Sequence, residues 1–201
     1  VKRGGKVRKA NVHRKTRETD ISVQLNLDGH GDNHIKTPIS FLNHMLTLLS
    51  NHSLIDMDVR ASGDIEVDQH HTVEDLGIVI GNALKKALGD KSGIRRWGSG
   101  SAPMDEALVD VSLDISGRSY LAYNVKFGPP YRRSEFNYDL VEEFFQAFCR
   151  SAEITLHILK RSGRNNHHLC ESLFKSFALA LGQAIEKRPR RKSVPSTKGS
   201  I

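Results

Sequence analysis

Between residues 21 and 27, Ile21, Val23, Leu25 and Leu27 alternate with polar side chains, the two-residue period of a strand with one buried face. The period then changes. In "ISFLNHMLTLLSNH" (39–52) apolar positions recur at helical spacing, and "LIDMDVRASGDIEVD" (54–68) reads as two strands around Ser62 and Gly63. Residues from about 70 to 88 give an amphipathic helix ended by Gly89. The same order of elements then recurs. "ALVDVSLDISGRSYLAYNVKF" (107–127) reads as a strand hairpin around Gly117, "DLVEEFFQAFCRSA" (139–152) as a helix and "ITLHILK" (154–160) as a strand. Residues from about 167 to 186 give another amphipathic helix.

The repetition extends to single residues. His70, His71 and Glu74 become His167, His168 and Glu171 on one shift of 97 residues, and each trio opens a long helix. Asp68 and Asn165, two positions ahead of each histidine pair, are good helix-capping residues. One HHxxE string is a weak signal; two in equivalent places imply an internal duplication. The expected fold class is α+β, with internally duplicated half-domains and four helices laid against strands. The expected divisions are a basic leading segment 1–17, a first half 18–92, a connector 93–102, a second half 103–187 and a basic tail 188–201.

Composition narrows the function classes. With 38% hydrophobic and 26% charged residues in 201, the chain fits a soluble globular protein able to bury a substantial core. No apolar run approaches the roughly 20 residues of a membrane helix, and no secretion-signal apolar segment follows the basic start. The expected location is the cytoplasm, or the plastid stroma if a transit peptide has been removed. Cys149 and Cys170 lack zinc or redox spacing and read as reduced, buried thiols. The net charge of +7 raises the question of a nucleic-acid partner, but of 30 basic residues eight lie in 1–17 and six in 187–201. The 16 left between 18 and 186 face all 23 acidic residues, so the folded body is acidic. Neither a basic core nor an aromatic-rich recognition motif supports RNA binding, and neither nucleic acid nor membrane is an expected partner.

The histidine pairs carry the candidate chemistry. Successive side chains at a helix start diverge by about 100°, so His70 and His71 point to different sites, while Glu74 can share a face with either. Imidazole with carboxylate suits a borderline ion such as Mn, Fe, Co or Zn. Two copies of the motif therefore make two metal sites, with ligands drawn from both halves or from neighbouring subunits. His44 in "FLNHML" is either a structural residue or a further ligand, and its counterpart in the second half, counted back from the histidine pair, is Glu143. A glutamate there can ligate, although a surface role is the ordinary reading. His157 alternates with apolar residues and reads as structural; His13, His30 and His34 fall in polar connections. A two-metal hydrolase would use similar ligands, but no HExxH string is present.

"FLNHML", "HHTVED", "PMDEALVDVSLDISGR", "NNHHLCES" and "PSTKG", in this order, resemble the imidazoleglycerol-phosphate dehydratases of histidine biosynthesis, from about "RKTRETDI" to the carboxyl terminus. The resemblance implies a four-helix layer between two mixed β-sheets, as in the ribosomal protein S5 domain 2-like fold, two Mn2+ per subunit and a 24-subunit homo-oligomer with active sites between subunits. It implies metal ligands at His44, His70, His71, Glu74, His167, His168 and Glu171. The family's common "VEHFF" is "VEEFF" here, placing Glu143 at an expected histidine; Asn43 and Gln69 stand where aspartate is usual. The implied reaction removes water from imidazoleglycerol phosphate, giving imidazole acetol phosphate through an imidazolate held between the two manganese ions. Glu18 is the implied acid/base group, with Glu74 and Glu171 the catalytic ligand carboxylates. The implied phosphorylated imidazole substrate would contact Glu18, His44, His52, His70, His71, Arg96, Arg118, Ser196, Thr197 and Lys198. Lys187 to Lys192 read as a solvated run beside that tail.

Overall fold

The computed structural model describes residues 7–129, 136–199 and 201. Residues 1–6 of the expected leading segment lie outside them. The first half contains β1 (Lys9–Lys15), β2 (Thr19–Asn26), β3 (Asn33–Lys36), α1 (Ser40–Ser53), β4 (Asp56–Gly63) and α2 (His70–Leu88). The second contains β5 (Trp97–Met104), β6 (Ala107–Asp114), β7 (Tyr120–Asn124), α3 (Leu140–Ala152), β8 (Thr155–Ser162) and α4 (Asn166–Ile185). Each half forms one four-stranded mixed sheet, ordered β1-β2-β4-β3 and β5-β6-β8-β7. In both, the strand before the first helix runs parallel to the strand after it, and the other pairings are antiparallel.

The alternating residues of β2 (Ile21, Val23, Leu25) and β6 (Val109, Val111, Leu113) turn inward onto the helices and are buried. Helices then pack across the halves. α1 lies against α4 and α2 against α3, while α2 also covers β1 and β2, and α4 covers β5 and β6. The core is one continuous apolar cluster in which Phe144, Phe145, Phe148, Phe174 and Phe177 interlock. This places residues of different halves side by side at the helix starts. Cys149 and Cys170 are buried and free, as expected. Among the described residues no helix is long and apolar enough to cross a membrane.

Several expectations are corrected. The stretch expected as a connector, 93–102, contains most of β5. Its Gly and Ser residues reflect close packing rather than a linker: a Cβ at Gly98 would stand 1.8 Å from the Ala180 carbonyl oxygen, and one at Gly100 2.1 Å from that of Ser176. Part of the basic leading segment forms β1 and carries His13, while His34 lies on β3, a short edge strand with too little alternation to be read. Residues 54–68 hold one strand, β4, followed by a turn that exposes Ile65 and Val67. β6 and β7 are both strands but do not form a hairpin, because β8 lies between them.

Candidate functional site

Asn165 caps α4, its side-chain oxygen accepting from the backbone N–H groups of His167 and His168. In α2 the residue at the cap position is Gln69, which makes no capping bond, and the Asp68 carboxylate accepts from His70 N–H instead. Each histidine pair thus sits in the first turn of a helix, and each pair diverges, with ring planes at 87° to one another. His167 turns toward Glu171, one helical turn on, at 3.0 Å. His70 turns the same way toward Glu74 at 3.5 Å.

The packing of α1 on α4 brings in a third group. His44 Nε2 lies 2.9 Å from Glu171 Oε1, and the ligand atoms of His44, His167 and Glu171 all fall within 4.8 Å of one another. Two imidazoles and one carboxylate at this spacing fit a divalent transition ion, which would displace the hydrogen bonds the three make among themselves. Burial pushes the Glu171 carboxyl upward, but hydrogen bonds from Lys175, His44 and His167 outweigh it and hold the group at about 2. The carboxylate is therefore ionised, as a ligand must be.

The second histidine of each pair faces away from these carboxylates. His71 Nδ1 meets Asp64 at 3.1 Å, and His168 Nδ1 meets Glu106 Oε2 at 2.8 Å. The Asp64 hydrogen bond, partly opposed by desolvation and helped by the charge of Glu18, raises His71 above its usual 6.5; the Glu106 hydrogen bond does the same for His168. Glu106 is held at about 2, chiefly by His168 and then by backbone N–H groups of Asn165 and Arg164. With Nδ1 engaged, each ring has Nε2 left to offer an ion. Asp64, Glu106 and Lys175 are site residues that the sequence reading did not identify.

The other expected residues divide into separate groups. Glu18 lies in the β1–β2 turn, its side chain 53% exposed, with Oε2 4.0 Å from His71 Nδ1. Glu143 lies exposed on α3, at the position equivalent to His44 on α1; both helices end in a left-handed residue, Leu54 and Glu153. No hydrogen bond or ion pair of Glu143 is found among the described residues. His52 is exposed in the last turn of α1, two turns beyond His44. Asn43 bonds to the backbone of Thr37 and so fixes the approach to α1.

Arg96, Arg118, Ser196, Thr197 and Lys198 line one cleft of about 810 Å³. Arg96 adopts φ 81°, a left-handed conformation uncommon outside glycine. It is fixed there by a bidentate pair with Asp114 (2.6 and 3.0 Å), by donation to Pro195 O and by Trp97, whose ring centroid is 4.4 Å from its guanidinium. It therefore anchors the tail as well as facing the cleft. Arg118 and Lys198 are exposed cations in the same cleft. The run 187–192, expected to be solvated, keeps its side chains exposed but docks through Arg188 N–H on Gly93 O and through Lys187 on Ser92 O.

A family model for imidazoleglycerol-phosphate dehydratase matches residues 37–181. The chain is 51% identical over 195 residues to the imidazoleglycerol-phosphate dehydratase of Oceanobacillus iheyensis, covering 97% of this chain and all of the relative. It is 52% identical over 194 residues to that of Clostridium acetobutylicum, covering 96% and 98%. A crystal structure of imidazoleglycerol-phosphate dehydratase from Staphylococcus aureus superposes with a TM-score of 0.81 at 39% identity, covering 90% of this chain and 99% of that one. A structure of IGPD from Pyrococcus furiosus gives 0.79 at 36%, covering 94% and 100%. Duplicated halves, paired histidines and these relatives agree, and the chain belongs to the imidazoleglycerol-phosphate dehydratase family.

Proposed function

We propose that this chain dehydrates imidazoleglycerol phosphate to imidazole acetol phosphate in histidine biosynthesis, using two manganese ions per subunit. The observation that carries this reading is the His44, His167 and Glu171 triad, produced by a duplicated motif in a chain of this family. One ion would be held by that triad and the other by His70, Glu74 and Glu143, with His71 and His168 as the remaining ligands. Bound at the ring, the ions would supply positive charge that lets the imidazole carry electron density while carbon–hydrogen and carbon–oxygen bonds break.

The chain's own groups divide the remaining work. The substrate has no carbonyl to acidify its departing proton, so a base must be free to approach. Glu18 meets that need, because its carboxylate is exposed beside His71 and is hydrogen-bonded to no side chain among the described residues. It would take the proton from carbon and, as an acid, assist loss of the hydroxyl. Arg118 and Lys198, with Ser196 and Thr197, would receive the phosphate, arginine by its fork and lysine as a point charge on the tail.

Geometry favours sites shared between subunits of a homo-oligomer, in the 24-subunit arrangement implied by resemblance. Glu106, which touches His168, immediately precedes β6, whereas Ser116 and Arg118 of the cleft lie beyond its other end, Asp114. Seven strand steps span about 23 Å, farther than a small phosphorylated imidazole reaches. Histidines of one chain and the cleft of another would therefore meet on one substrate. The test is to incubate assembled, manganese-loaded protein with imidazoleglycerol phosphate. Imidazole acetol phosphate is the expected product, and release of inorganic phosphate in its place would favour a hydrolase.

A further inference from the structure

Glu18 has a duplicate. It immediately precedes β2 as Glu106 immediately precedes β6, at a shift of 88 residues rather than the 97 that relates the histidine pairs. The surroundings match. A Cβ on Gly63 would meet Thr19, next to Glu18, and Thr72, next to His71; one on Gly163 would meet Ala107, next to Glu106, and Leu169, next to His168. Both glutamates thus stand against the second histidine of their own half. Their engagement differs. Glu106 receives His168 Nδ1 at 2.8 Å and the N–H groups of Asn165 and Arg164 at 2.8 and 3.2 Å. Glu18 stays 4.0 Å from His71, and the nearer acceptor there is Asp64, at 3.1 Å.

The difference traces to connection length. Residues 64–69 join β4 to α2, and they begin with Asp64; only 163–165 join β8 to α4, and they contain no acid. Asp64 N–H also donates to Glu18 O, tying the two turns together at 3.2 Å. Asp105, the other acid near His168, is 3.8 Å away and largely exposed.

We infer that Asp64 and Glu106 are positioning residues with one duty, holding Nδ1 of His71 and His168, and that Asp64 takes over in the first half the duty Glu106 performs in the second, leaving Glu18 free to act as base. This rests on the dehydratase site proposed above. A tandem copy would begin with two equivalent turn glutamates. A longer connection carrying its own carboxylate releases one of them for chemistry.

The test measures manganese affinity of the assembled full chain by equilibrium dialysis against manganese chloride, alongside kcat and KM. Glu106→Ala, made together with Asp105→Ala so that the carboxylate 3.8 Å from His168 cannot replace it, leaves His168 without its acceptor and should weaken manganese binding roughly 10- to 100-fold, as loss of an outer hydrogen-bond partner does. Asp64→Ala should keep manganese near the parental affinity, because Glu18 closes on His71, but should lower kcat roughly 10- to 100-fold with KM little changed. Glu18→Gln alone should keep the metal. Glu18→Ala combined with Asp64→Ala should release it, since neither acceptor then remains. The inference is overturned if Glu106→Ala with Asp105→Ala, or Glu18→Ala with Asp64→Ala, binds manganese like the parent, or if Asp64→Ala alone loses as much metal as the latter pair. Full turnover by Glu18→Gln would instead remove the base from the proposed function while the metal measurements still decide the positioning roles. If Glu106→Ala with Asp105→Ala does not fold, Glu106→Gln with Asp105→Ala serves, because the amide presents a donor either to His168 or to the Asn165 N–H, and the same weakening is expected.

Discussion

Glu171 accepts from His44 on another helix, from His167 one turn back and from Lys175 one turn on, and all three contacts favour its ionised form. That sets the sign of two pH effects. A carboxyl held at about 2 in the folded chain contributes stability that is complete above its unfolded value near 4.5 and is lost as pH falls toward 2. His71 and His168 behave oppositely, since each is raised above 6.5 and must shed its proton before it can bind an ion. Manganese affinity should therefore weaken on acidification, beginning above pH 6.5, and titration of apo protein with manganese at a series of pH values checks this. An affinity flat from pH 8 to 6 would remove both rings from the ligand set. Glu143 makes the two halves chemically unequal: where α1 offers imidazole, α3 offers carboxylate, so under the proposed function an ion held by His70, Glu74 and Glu143 would have the more anionic ligand set.

At the scale of elements, α4 packs closely on β5 and β6. Ser172 and Ser176 donate to the carbonyls of Ala102 and Val109, and Gly98 and Gly100 leave the room that α4 carbonyls occupy. Gly98→Val should destabilise the fold by at least about 1–3 kcal/mol, measured by urea denaturation, because backbone rather than a movable side chain meets the new atoms. An unchanged midpoint would contradict the packing described. The same contacts explain what could be read from sequence. β2, β6 and α2 were legible because their burial follows local periodicity, and the α2 boundary at Gly89 follows from the glycine itself. β5 was not, since its composition answers to a helix some eighty residues away, and the separation of β6 from β7 by β8 is equally non-local. Asp64 and Glu106 were hidden for a related reason. Connections of unequal length give the turn glutamates and the histidines different shifts, so no single alignment of the halves shows both.

For the whole molecule, duplication is followed by cross-packing of α1 on α4 and α2 on α3, which lets a repeated motif draw on both halves, as His44 of the first half meets His167 and Glu171 of the second. Glu106, which touches His168, and the cleft lined by Arg118 lie at opposite ends of β6, a separation that supports the proposal of sites shared between chains. Co-assembly of Glu18→Gln chains with Arg118→Ala chains, each inactive by itself, should restore part of the activity, because some sites then combine an intact Glu18 with an intact Arg118. Absence of recovery in properly mixed oligomers would place the whole site within one chain. The most direct measurement is the manganese content of the reconstituted assembly, taken with its rate of water loss from imidazoleglycerol phosphate before and after chelation. Two ions per chain, with turnover lost on chelation and regained with manganese, is the predicted result; full turnover by metal-free protein would contradict it.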